Sequence, residues 1–231
     1  MRAHFQVKET VVSIVCEPEY VKTAENAIFE ARAIIESKVA SDPFFQITYE
    51  PYPPSADDHD LIRRMCEASV LADVGPFAGV AGAVAVYAVE RMKEAGAREA
   101  IVENGGDIAF LSDMRTPVGL FADHPVLKDV AFMIESDGIT GICSSSAKIG
   151  PSVSLGASNV CTVFSDDVIL ADCCATALGN LVRDEESLQD ALEAIGSVRG
   201  VRGCLACIGD KVGMFGDVPE MVSSKVNVQR F

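Results

Sequence analysis

Positive charge is scarce in this chain. Nineteen Lys and Arg face 34 Asp and Glu, a formal net charge of -15. That is the wrong sign for a protein that neutralises a phosphate backbone, so nucleic acid is excluded as the expected partner. A small phosphate ligand is still admissible, because backbone N–H groups, a helix N-terminus or a bound cation can hold one locally. A long apolar run is also lacking. The best candidate, Val74 to Val89, is shorter than the roughly 20 residues a spanning helix needs and is rich in Gly. It reads as a buried helix, and no membrane association is expected. The opening MRAHFQVKET has no apolar leader. A cytoplasmic protein is therefore expected, with its eight cysteines reduced. The three histidines, His4, His59 and His124, have no metal-ligand spacing and read as surface residues. Neither a Ser-His-Asp arrangement nor a P-loop is present.

What is there is a folding chain. Hydrophobic residues make up 49% of the 231 positions and charged residues 23%, far from the composition that leaves a chain disordered. The length fits one globular unit, residues 1–231. A strand is expected from Phe5 to Cys16. Thr23 to Val39 then places Ala24, Ala27, Ile28, Ala31, Ile34 and Ile35 on one helical face, and Ser41-Asp42-Pro43 stops it. Thr48 to Asp58, with three prolines, reads as a surface connection. A helix over Asp60 to Leu71 precedes the Gly- and Ala-rich helix ending at Gly96. Its small residues would let other backbone approach closely.

From Arg98 the period becomes that of strands. EAIVE, DIAFLS, PVGLFAD, VAFMIES and ITGICSS read as an antiparallel meander. A strand at Asn159–Ser165, helices at Asp167–Val182 and Glu185–Ile195, and a hairpin over Gly203–Phe215 turning at Gly209-Asp210 complete an α+β order.

Three segments carry candidate chemistry. Glu103-Asn104-Gly105-Gly106-Asp107 reads either as a hairpin turn or as a loop whose two glycines let a ligand approach the backbone. Asp172 and Thr176, at i and i+4, stack on one helical face. They suit a hard cation such as Mg²⁺, or else Asp172 caps a helix and Thr176 bonds back to a carbonyl. Ser144, Ser145 and Ser146 form a hydroxyl-rich loop, able to hold phosphate oxygens or simply to connect. Cys204 and Cys207 sit three apart in a strand-like run and face opposite sides, which argues against a metal or redox pair. Cys173 and Cys174 read as packing residues.

Taken in order, DVGPFAGVAGAVAVYAVERMKEAGAREAIVENGGDIAF, GICSSSAKIGPSVSLG and ILADCCATALGN resemble the ApbE-like family, whose best-known members are Mg²⁺-dependent FAD:protein FMN transferases. The whole chain, from near Lys8-Glu9-Thr10, is similar to the short prokaryotic branch; likeness to the transferases covers mainly Asp73 to Val182. The resemblance implies a T-fold-like, internally duplicated architecture of antiparallel sheets and packed helices. It implies Mg²⁺ held by Asp172, Thr176 and a carbonyl near Ala78, and FAD or FMN lying against Glu103 to Asp107 and Ser144 to Ser146. Phosphoryl (FMN) transfer or cleavage of the FAD pyrophosphate would follow. Two departures favour the alternative of a flavin-binding or structural protein without transfer. Ala78-Gly79-Val80 stands where the transferases have Ala-Lys-Gly, and Gly150-Pro151-Ser152 replaces their His-Ile-x-x-Pro. Lys148 is the cation left to serve the serine loop. Open sheet edges make a homo-oligomer the expected assembly.

Overall fold

The structure, a computed structural model, describes residues 1–7, 10–119, 127, 129–146 and 156–223. Eight strands form one antiparallel sheet: β1 (Arg2–Val7), β2 (Thr10–Cys16), β3 (Ala100–Asn104), β4 (Asp107–Leu111), then β7 (Thr140–Ser145), β8 (Val160–Ser165), β9 (Val201–Ile208) and β10 (Lys211–Gly216). The remaining three, β5 (Thr116–Gly119), β6 (Val130–Ile134) and β11 (Met221–Ser223), form a second sheet in the order β11-β6-β5. The large sheet falls into two blocks of matching connectivity, each a hairpin, a helical excursion and a second hairpin. The first block returns through α1 (Val21–Ser41), the single turn α2 (Phe44–Ile47), α3 (Asp60–Ala72) and α4 (Val80–Glu94). The second returns through α5 (Val168–Leu181) and α6 (Leu188–Gly196). This is the connectivity that two related halves predict, in an α+β protein of antiparallel sheets and packed helices.

The layering follows from strand alternation, in which successive side chains point to opposite faces. Val12, Ile14, Val102, Ala109, Cys143, Val163 and Cys204 point into one core with the helices, and Phe110, Ile142, Phe164, Leu205 and Cys207 into a second with Phe132 and Ile134 of the small sheet. Phe132 and Phe164 meet across that second core with ring centroids 5.1 Å apart. Cys204 and Cys207 do face opposite sides, as their spacing requires, and all eight cysteines are buried, none of them in a disulfide.

Two sequence expectations need correction. Phe5–Cys16 is not one strand but the β1–β2 hairpin, registered from Arg2↔Val15 to Val7↔Thr10. The segment HFQVKETVVS contains no Gly, Pro, Asn or Asp to announce the reversal. The five β-rich runs are not one meander either. β4 pairs with β7 rather than β5, in the register Asp107↔Cys143 to Phe110↔Thr140, and β5 and β6 cross to the other layer. Gly141 permits the β7 placement: a Cβ there would lie 2.7 Å from the Val168 Cα, so only glycine lets α5 sit this close to the sheet.

The helices match their periodicity. Ala24, Ala27, Ile28, Ala31 and Ile35 of α1 are buried, with Ile34 at the margin. Thr48 to Asp58 is irregular, as its prolines dictate, and is fastened by Lys38–Asp58 at 2.8 Å and Tyr52 N–H to Ser69 Oγ at 3.2 Å. No single described helix is long and apolar enough to cross a membrane; one pair bent by 112°, Asp60–Ala72 with Pro76–Glu94, passes on composition together. The apolar side chains of that pair are largely in the helix-side core.

Candidate functional site

The centre of the site is where α5 crosses the start of α4. The first turn of α5 is capped by Asp167, whose Oδ1 accepts from Ile169 N–H at 3.0 Å and Leu170 N–H at 3.1 Å. Asp172 is therefore free of that duty. Its Oδ2 accepts instead from Gly82 N–H at 2.7 Å, and Ala81 N–H also faces the carboxyl. Helix α4 starts at Gly79, which has no side chain to cap with; a carboxylate from another helix supplies the acceptor for its orphan donors. The crossing depends on missing side chains. A Cβ on Gly82 would lie 2.9 Å from Val168 O and 3.0 Å from Asp172 Cβ, and one on Gly79 would lie 2.8 Å from both Cys173 Sγ and Ile169 Cγ2. Burial pushes the Asp172 carboxyl up to about 7, against the pull of the Gly82 and Ala81 N–H groups.

Asn104-Gly105-Gly106-Asp107 closes the β3–β4 hairpin with a two-residue turn. Asn104 pairs with Asp107, and the glycines have φ of +67° and +105°, the positive values such a turn demands. The turn is thus an ordinary hairpin in its backbone, and its flanking residues carry the chemistry. Asn104 Nδ2 donates to Ala81 O at 3.1 Å, pinning the hairpin to the start of α4 beside Asp172. Gly106 N–H donates to Glu103 Oε1 at 3.3 Å. Asp107 is 8% exposed, and the Ser144 N–H and the Cys143 thiol are its hydrogen-bonding neighbours. Its Oδ1 has no partner among the described residues. Burial first, and then the charge of Asp172, push the Asp107 carboxyl well above the usual carboxylate range. Cys143 also lies 3.5 Å from Val168 O, one helical turn before Asp172.

The residues expected to line one cleft divide between the faces of the sheet. Asn104 and Asp107 share the helix-side face with Val102 and Ala109, and Ser145 shares it with Cys143. Glu103, Ser144 and Ser146 fall on the opposite face. There Ser144 Oγ meets Thr162 Oγ1 at 2.9 Å and Ser146 Oγ donates to Asn159 O at 2.6 Å. The serines up to Ser145 end strand β7 and are not a loop. Thr176 is half-buried one turn beyond Asp172, and Ala78 is partly exposed in the 3-10 turn Pro76–Gly79. Lys148, His124 and Gly150-Pro151-Ser152 lie outside the described residues; His4 and His59 are exposed. Sequence reasoning missed Ala81, Gly82 and Cys143 as site residues. Gly82 had a signal, a glycine in the first turn of a helix with no reason of its own to be there.

Among the described residues no group of three or more His, Cys, Asp or Glu is placed to hold a metal. The donors near Asp172 are hard oxygens of mixed origin, and the unpartnered Asp107 Oδ1 is the atom a hard cation would satisfy. In that respect Mg²⁺ fits. Two cavities among the described residues lie elsewhere: one of about 370 Å³ is lined by Leu127, Asp129, Val212 and Met221, and one of about 110 Å³ by Glu135, Phe164 and Arg202.

With its two ββ-helices-ββ blocks, the chain has the α+β fold of the ApbE class. The flavin transferase ApbE from Vibrio cholerae superimposes with a TM-score of 0.61 over 97% of each chain at 13% identity. The apo flavinyl transferase ApbE of Pseudomonas stutzeri does so with 0.55, over 97% of this chain and 94% of that one, also at 13% identity. Within that class, this chain belongs to the family described as AbpE bacteria, whose profile matches residues 1–194. Its relatives include UPF0280 proteins of Methanocella arvoryzae, 42% identical over 99% of this chain and 94% of that protein, and of Archaeoglobus fulgidus, 42% identical over 95% and 94%.

Proposed function

We propose that the protein binds a flavin nucleotide, or another phosphate-bearing small molecule, at the Asp172 end of the sheet, with a divalent cation, and transfers or cleaves a phosphoryl group there. The observation that carries this reading is the pair of buried carboxylates, Asp107 and Asp172, gathered at a helix start with one oxygen unpartnered. The flavin part rests on the fold shared with two proteins named flavin transferases. Mg²⁺ bound there would supply neutralisation of pyrophosphate charge and polarisation of the phosphoryl oxygen. Asp172, Thr176 and the Ala78 carbonyl would hold it. The chain's own contribution is placement: Gly79 and Gly82 seat Asp172 against α4, and Asn104 ties the glycine hairpin to the same point.

Purified protein incubated with FAD, Mg²⁺ and a candidate acceptor is expected to release AMP, followed by chromatography, and Asp172→Ala to release none. If neither AMP nor protein-bound FMN appears with the parent protein, transfer and cleavage are both refuted.

One observation favours a second reading, binding without transfer. Any side chain at Gly79, where the transferases carry lysine, would collide with Cys173 and Ile169 of α5 at 2.8 Å. The packing leaves no room for that cation. Binding alone predicts a rise in melting temperature with FAD or FMN, because a ligand of the native state stabilises it, and no AMP.

A further inference from the structure

The resemblance assigns cation ligands to α5 and to the turn before α4, and gives Asp107 only a place along the ligand. The geometry around Asp107 says more. It is over nine-tenths buried, on the same face of the sheet as the helices, and its hydrogen-bonding neighbours, Ser144 N–H and the Cys143 thiol, leave Oδ1 with no partner among the described residues. Asp172 holds the start of α4, with Oδ2 on Gly82 N–H and Ala81 N–H beside it. Residues paired with Asp107 and Asp172 itself converge on the start of α4 and the first turn of α5. Asn104, the cross-strand partner of Asp107, holds Ala81 O; Asp172 holds the Ala81 and Gly82 N–H groups; and Cys143, opposite Asp107 in the ladder, touches Val168 one turn before Asp172.

Among the described residues Asp107 Oδ1 is a buried carboxylate oxygen without a donor, Asp172 Oδ2 is held only by backbone N–H groups, and no Lys, Arg or His is hydrogen-bonded to either carboxyl. Here neither carboxyl is hydrogen-bonded to the other, and Oδ1 of Asp107 reaches no acceptor or donor at all among the described residues. An oxygen-liganded cation fills the coordination that Oδ1 lacks.

We propose that Asp107 is a second carboxylate ligand of the divalent cation at Asp172, so that the site is clamped between the β3–β4 hairpin and α5 instead of being carried by α5 and the α4 turn alone. This rests on the metal-assisted reading above and adds a residue and a mechanical consequence. Cation binding would tie the glycine hairpin to α5, coupling the element that approaches the ligand to the element that holds the metal.

The test uses Mn²⁺ as the probe, followed by loss of the free-ion electron paramagnetic resonance signal on titration of the full-length protein, with apo melting temperatures measured in parallel. The parent is expected to bind one Mn²⁺ per chain competitively with Mg²⁺. Asp107→Asn is expected to weaken that binding at least about tenfold while leaving the apo melting temperature unchanged or higher, since Oδ1 makes no hydrogen bond in the described structure that the substitution could remove. Asp107→Ser repeats the test should the amide perturb folding, and Asp113→Asn, an exposed carboxylate on the following turn, is expected to bind like the parent. Parent-like Mn²⁺ affinity in both Asp107 variants would overturn the proposal and leave a metal at Asp172 standing. No Mn²⁺ binding by the parent would overturn both.

Discussion

Replacing Gly82 by alanine sets two well-measured tendencies against each other. Alanine is favoured over glycine in a helix by up to about 1 kcal/mol, so helix propensity alone predicts a more stable protein. The structure predicts the reverse. The new methyl would sit 2.9 Å from the Val168 carbonyl oxygen, 3.0 Å from Asp172 Cβ and 3.2 Å from Asp172 Oδ2. The first of these is backbone in the opening turn of α5 and cannot swing aside, so α4 and α5 must separate. Overpacking of this kind costs about 1–3 kcal/mol. Separation also stretches the 2.7 Å bond from Gly82 N–H to Asp172, a charge-assisted bond worth about 1.5–3 kcal/mol. Set against the propensity gain, the net loss is about 2 kcal/mol, or a fall of about 4–8 °C in melting temperature for a domain of this size. Urea unfolding followed by circular dichroism measures it. Gly138→Ala is the control: a Cβ there meets nothing within 4 Å and φ is not positive, so its stability should match or slightly exceed the parent's. A Gly82→Ala protein as stable as the parent would refute the close crossing, and with it the account of why Asp172 caps α4.

Two further outcomes follow from the same structure. Lys38 is largely buried against Asp58 at 2.8 Å and lies over the rings of Phe45 and Tyr52. Burial alone would raise the Asp58 carboxyl and lower the Lys38 ammonium, but their hydrogen bond and mutual charge outweigh it, holding Asp58 below and Lys38 above their ordinary values. Lys38→Met should therefore cost about 2 kcal/mol near neutral pH, the worth of a hydrogen bond between charged groups. Because the Asp58 value is depressed, that difference is fully present above its unfolded value of about 3.9 and shrinks as pH falls through the folded one; because the Lys38 value is raised, it is present below about 10.4 and shrinks above. Urea midpoints at pH 3, 7 and 11 test this, and a gap that widens in acid would contradict it. All eight cysteines are buried, and burial pushes the Cys66 and Cys204 thiols up to about 11 and those of Cys161 and Cys174 up to about 12. A disulfide reagent at pH 8 should find no fast thiol in the native protein and eight after unfolding in guanidinium; one rapidly reacting cysteine would show that a core seam opens.

The helices were legible because their information is local. Ala24, Ala27, Ile28, Ala31 and Ile35 keep the 3.6 period and are buried on one face of α1, and Gly209-Asp210 turns a hairpin wherever two strands flank it. The strands were legible as strands, yet their partners were not. Nothing in DIAFLS says that it pairs with ITGICSS across the intervening runs, since pairing depends on Gly141 meeting α5, a helix later in the chain. The turn in HFQVKETVVS was missed for want of any residue that marks one. The candidate site shows the same division. The residue types at Asp107 and Asp172 were visible, but the face each occupies follows from strand register, and register placed Ser144 and Ser146 away from Ser145.

By itself, the sequence determined an acidic, core-forming α+β chain with reduced-type buried cysteines, a glycine hairpin and a helix bearing Asp172 over Thr176, because composition and periodicity are properties of neighbours. Only the tertiary structure decided what Asp172 does. Its acceptor bond joins residues 90 positions apart, and its electrostatic neighbour Asp107 arrives from another hairpin. Burial removed the water that would have solvated both carboxylates, and that desolvation, which no local pattern encodes, sets these two aspartates apart from ordinary surface carboxylates.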